Sequence, residues 1–140
     1  MGTYEVNTPY SFIFGGNSEF SIQNLDNGVV YRYLVKKAKD SESMYFVYVQ
    51  DGRNWSYAGY LRRYKDGSYK YDAGNKGNYA AGEAPIRGLL FALRYHNSIL
   101  PKPMSMYHHG KCALCGRELK DRESVYRGFG PECWKRINGG

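Results

Sequence analysis

The chain has 140 residues and a formal charge of +7, a length that suits one domain, or one domain carrying a small module. No apolar run reaches the roughly 18–20 residues that cross a bilayer. Met1-Gly2-Thr3-Tyr4-Glu5 has neither the basic-then-apolar order of a secretory leader nor, with Val6 at the sixth position, a myristoylation signal, so a cytoplasmic protein with no membrane partner is expected.

Residues 1–10 show no clear period. From Ser11 to Asp72 the chain reads as an antiparallel meander of about five short strands, rich in aromatic and β-branched residues. Phe20-Ser21-Ile22 alternates and runs into Asn27-Gly28, the strongest local signal for a type I′ hairpin turn, and Val29–Val35 follows. Met44–Val49, Trp55–Leu61 and Ser68–Tyr71 continue it, separated by Asp51-Gly52-Arg53-Asn54 and Lys65-Asp66-Gly67. Residues 73–84 are a Gly/Asn-rich loop. Pro85 then opens a helix with Ile86, Leu89, Leu90, Leu93 and Asn97 on one face and Arg87 and Arg94 away from it. Leu100-Pro101-Lys102-Pro103 ends that helix as a stiff link. The expected fold is α+β: a meander with one main helix in residues 1–103, then a metal-binding module in residues 104–140.

That module holds all three cysteines, an odd number with two of them spaced Cys-x-x-Cys, which in a reducing compartment favours a metal over disulfides. Cys112, Cys115 and Cys133 supply three thiolates for one structural Zn²⁺, with Gly116 allowing the tight turn and Pro131 opening a short helix that carries Cys133. A zinc-bound turn and a ligand at a helix start form a treble-clef-like knuckle. Structural zinc takes four ligands. His108 is the preferred fourth and His109 the alternative; His96 sits in the long helix as a surface or core-edge residue. Water or a partner's side chain would leave the fourth position open. Catalytic zinc has little support: the chain lacks His-Glu-x-x-His and the deaminase signature, and Glu132 reads as a helix N-terminal acid, so no catalytic residue is assigned.

The string Cys112-x-x-Cys115-Gly116-Arg117-x-Leu119, then Ser124, then Gly128-x-Gly130-Pro131-x-Cys133 resembles a family of small, mostly bacteriophage and bacterial proteins defined as a domain of unknown function. The resemblance covers about residues 108–134. It implies that the three cysteines are ligands, that His108 is the family's upstream histidine, and that the protein is of phage type. Arg122 stands where a small residue or Pro is more usual. Arg117 and Ser124 are expected to brace the knuckle, the alternative being that Arg117 faces outward to touch phosphate.

The positive excess is spread along the chain and suits a polyanionic partner. Fifteen tyrosines, interleaved with basic residues, suit stacking on single-stranded bases. Arg32, Lys36, Arg62, Arg63, Arg94, Arg127, Tyr31, Tyr33 and Tyr60 are the candidate contacts for nucleic acid or for a host protein. The leading expectation is a non-enzymatic phage-type accessory protein that binds nucleic acid. The alternative is a protein-binding inhibitor, anti-CRISPR-like or aimed at a host replication enzyme, for which a tyrosine-rich surface is equally apt. A zinc hydrolase ranks last. No small-molecule substrate is evident.

Overall fold

The computed structural model describes residues 2–137. Seven strands form one antiparallel sheet: β1 (Tyr4–Glu5), β2 (Asn17–Asn24), β3 (Val30–Lys37), β4 (Met44–Asp51), β5 (Asn54–Arg63), β6 (Tyr69–Asp72) and β7 (Met104–His108). The helices are α1 (Pro9–Ile13), α2 (Ala84–Arg94), α3 (Arg122–Arg127) and α4 (Pro131–Ile137). The spatial order is β1-β7-β2-β3-β4-β5-β6. The meander is therefore larger than the five strands expected, because β7 returns from late in the chain to pair with β2 on one side and β1 on the other. The boundary expected at 103/104 falls just ahead of this sheet strand. The β2–β3 connection also differs from expectation: Gly28 takes a left-handed φ of 74° but Asn27 does not, so a five-residue loop replaces the type I′ turn. Its amides are held by Asn24 Oδ1 and Asn27 Oδ1 instead.

Alternation along the strands sends one set of side chains to the helices and the other to an open face. In β3, Tyr33 and Val35 are buried while Arg32, Leu34 and Lys36 face the other way. Tyr45, Val47 and Val49 of β4, Leu61 of β5, and Phe20 and Ile22 of β2 join the covered side. Onto them pack Phe12 and Ile13 of α1 and Ile86, Leu89, Ala92 and Leu93 of α2, all essentially inaccessible. Each buried Leu or Ile of this kind contributes about 2 kcal/mol of transfer free energy. The Tyr33 hydroxyl donates to the Pro85 carbonyl at 2.8 Å, tying the sheet to the start of α2. Tyr10 of α1 stacks on His96 with centroids 4.4 Å apart, and Ser11 and Asn97 exchange hydrogen bonds, so the two helices are clasped at one end.

The cysteine-bearing segment sits on the same core: Cys112, Ala113, Leu119, Phe129 and Cys133 are continuous with Phe12 and Phe14. Two glycines allow this. A Cβ at Gly15 would lie 2.6 Å from the Ala113 carbonyl oxygen, and one at Gly128, whose φ is 83°, would lie 2.6 Å from the Phe12 ring. Among the described residues no helix is long and apolar enough to cross a membrane.

Candidate metal centre and open sheet face

The knuckle is built from backbone hydrogen bonds. The Cys112 amide donates to the Arg117 carbonyl and the Gly116 amide to the Cys112 carbonyl, both at 2.8 Å, closing a turn in which Gly116 adopts φ 77°. Two further amides, of Leu114 and Gly130, donate to Cys112 Sγ at 3.4 Å. The second comes from the loop before α4, so this one sulfur joins the knuckle to the segment that carries Cys133. The ligand sulfurs of Cys112, Cys115 and Cys133 lie within 4.8 Å of one another, with Cys112 and Cys133 buried and Cys115 exposed.

These three thiols could hold a metal ion. Tetrahedral zinc with Zn–S bonds of about 2.3 Å requires sulfurs about 3.8 Å apart, which the cluster spacing accommodates. Burial first, and then hydrogen bonding and charge from Cys115 and Cys112, push the Cys133 thiol up to about 12. Burial acts upward on Cys112 too, but the amides of Cys115, Gly130 and Leu114 outweigh it and hold that thiol below its ordinary value. Packed thiolates that resist ionising together are the donor set a cation stabilises.

The histidines expected to complete the set lie elsewhere. His108, at the end of β7, is buried between Phe12, whose ring stacks on it at 5.3 Å, and Tyr4. Its Nε2–H donates to the Val125 carbonyl at 2.8 Å and its Nδ1 accepts from the Gly110 amide at 3.0 Å. Both ring nitrogens are thus engaged, and the residue ties the sheet to α3. Desolvation holds its pKa below the ordinary histidine value, against the opposing Val125 hydrogen bond, so it packs as a neutral ring. His109 points to the open face, where Nε2 meets Ser21 Oγ at 3.0 Å. Among the described residues, no other His, Cys, Asp or Glu joins the three sulfurs. Arg117 braces the knuckle through its carbonyl while its side chain is exposed, and Ser124 bonds to Asp121, the N-cap of α3. Glu132 is exposed.

Of the nine candidate contact residues, four share the open sheet face: Arg32, Lys36, Arg62 and Tyr60. Register places Lys36 opposite Phe46, Phe46 opposite Tyr60, Leu34 opposite Tyr48, Tyr48 opposite Tyr57, and Arg62 opposite Lys70. A β-bulge between Val47 and Tyr48 keeps Tyr57 beside Tyr48. The rings of Phe46 and Tyr48 lie 6.2 and 5.6 Å from that of Tyr57, and all are half-buried, outside the core cluster. Arg32 pairs with Glu19, which also faces Lys111 at 3.7 Å.

The other five lie apart. Tyr33 is fully buried and presents nothing to a partner, because its strand face is the one the helices cover. Tyr31, on the same side, lines a groove with Arg94. Arg63 donates to the Tyr45 hydroxyl and lies over the Phe14 ring. Arg127 pairs with Glu123 and covers Trp134 at 4.7 Å. Phe46, Tyr48, Tyr57 and Lys70 were missed among the candidates; alternation from Leu34 and Lys36 across the meander marks Phe46, Tyr48 and Lys70, whereas Tyr57 reaches this face only through the bulge.

No curated protein and no solved structure gives a significant match to this sequence. Residues 103–138, the span from just before β7 through α4 with all three cysteines, match the model of a family of unknown function (DUF6011).

Proposed function

We propose that this chain is a non-enzymatic, phage-type accessory protein that binds single-stranded nucleic acid on its open sheet face, working in the host cytoplasm with one structural zinc ion in its knuckle. The observation that carries the reading is the aromatic block of Phe46, Tyr48, Tyr57 and Tyr60 on an uncovered face, bordered by Arg32, Lys36, Arg62 and Lys70. Base–aromatic stacking contributes about 1–3 kcal/mol per base, and a basic border follows the phosphates. The phage-type origin rests on the motif resemblance alone. The structural, treble-clef-like role of zinc is supported by two cysteines buried in the core, where an ion would staple the start of α4 to the knuckle.

Fluorescence anisotropy with labelled single- and double-stranded DNA and RNA tests the reading. Single strands are expected to bind more tightly, with an affinity that falls with salt by a logarithmic slope of about −0.7 per phosphate neutralised. If all four probes fail to bind at low salt, the reading is wrong.

A second reading, a protein-binding inhibitor of a host defence or replication enzyme, is favoured by exposed Leu25, Val29 and Val30 around the β2–β3 loop. A zinc hydrolase has the least support, since the carboxylate beside Cys133 belongs to exposed Glu132.

A further inference from the structure

On the covered side of the sheet, α2 carries two stripes. Ile86, Leu89 and Leu93 face the core. Arg87, Leu90, Phe91 and Arg94 form a second stripe at i, i+3, i+4 and i+7, which the chain's own elements leave partly uncovered. This stripe is one wall of an open groove of about 580 Å³ whose other wall is made by Val29 and Tyr31 of the β2–β3 hairpin and Met104 of β7. Val29, which lines this groove, is 44 % exposed. Both arginines line it and are exposed.

We infer that this groove docks an amphipathic acidic helix of a partner protein. Seven residues along α2 separate its two guanidinium groups by about 10 Å of helix rise, and a partner helix repeats its own face over the same distance. A segment with carboxylates seven residues apart, bracketing two apolar side chains, would match both arginines and fill the space over Leu90 and Phe91. The lining beside the arginines mixes aliphatic Val29, Leu90 and Met104 with the rings of Tyr31 and Phe91, an apolar surface that Leu or Ile side chains can fill. A second copy of this chain is disfavoured, because its net +7 charge would meet the same two cations. The inference is independent of the open-face reading, since Arg87 and Arg94 lie on the opposite side of the sheet.

The test is selection from a displayed library of helical peptides randomised along one face, followed by anisotropy with each peptide recovered. Recovered peptides are expected to carry Asp or Glu seven residues apart around an apolar pair. The Arg87→Glu/Arg94→Glu variant should bind them at least about tenfold more weakly, and should prefer a version whose acids are changed to Lys. Both substitutions are at exposed positions, and circular dichroism checks that the variant folds. Lys36→Ala should leave peptide binding unchanged, so that loss of the nucleic-acid reading and loss of this one are separable. Recovery of no binders, peptides without acidic enrichment, binding indifferent to the charge reversal, displacement of the peptide by a single-stranded oligonucleotide, or self-association through the groove in sedimentation would each overturn the inference.

Discussion

Both faces of the sheet carry tyrosines and put them to opposite use. On the covered face Tyr33 and Tyr45 are sealed, and burial raises the pKa of both hydroxyls. Tyr33 donates to Pro85, and Tyr45 accepts from Arg63. On the open face Tyr48, Tyr57 and Tyr60 contact one another's neighbourhood but keep part of each ring in solvent. A tyrosine in a strand is thus neutral as to role. What decides is whether a second layer covers its side of the pleat, and only one side of this sheet has one.

The sharpest way to break that contrast is to remove the layer's own fastening. Cys133→Ser should abolish stoichiometric metal binding, measured by elemental analysis, and lower the unfolding midpoint by more than any other change considered, because the knuckle is continuous with the core. An unchanged midpoint would mean that the module merely rests on the covered face. Next in size is Tyr33→Ala, expected to cost about 3–5 kcal/mol in denaturant unfolding, as for other large buried rings. Tyr57→Ala on the open face should cost about 1 kcal/mol or less, the scale of a cross-strand pair, while weakening oligonucleotide binding. Equal destabilisation by the two would erase the distinction between the faces.

The smallest effect concerns pH. His108 is held neutral by burial, below its ordinary value of 6.5, whereas the unfolded chain titrates near that value. Between those two values the unfolded state binds more protons, so this residue's contribution to stability is present above pH about 6.5 and is lost as pH falls below it. His108→Gln should flatten the stability profile in that window relative to the parent, read from unfolding midpoints at a series of pH values.

Much of this arrangement was legible in the chain. Strands β2 to β6 and α2 follow from alternation, turn residues and a 3.6-residue period, and the three cysteines marked their cluster by spacing alone. The rest depended on distant partners. Strand β7, Met104-Ser105-Met106-Tyr107-His108, has no β-branched residue, follows a proline-rich link, and becomes a strand only by pairing with β2 far upstream. Helix α3 is just six residues long, although Asp121 and Gly128 bracket it with recognisable caps. His108 carried the spacing of a ligand, but the Val125 carbonyl that engages its ring nitrogen is contributed by α3, and nothing local announces it. Alternation separated Tyr31 and Tyr33 from Arg32 and Lys36 without saying which side the helices would choose.

The insertion of β7 between β1 and β2 also fixes an order of assembly. The hairpins from β2 through β6 can close among themselves as they leave the ribosome, but the outer rim of β2 stays unsatisfied until residues 104–108 emerge, and β1 has no neighbour at all before then. The amino-terminal strand is thus among the last to find its place, and a nascent chain halted before residue 104 would carry a sticky, unpaired margin.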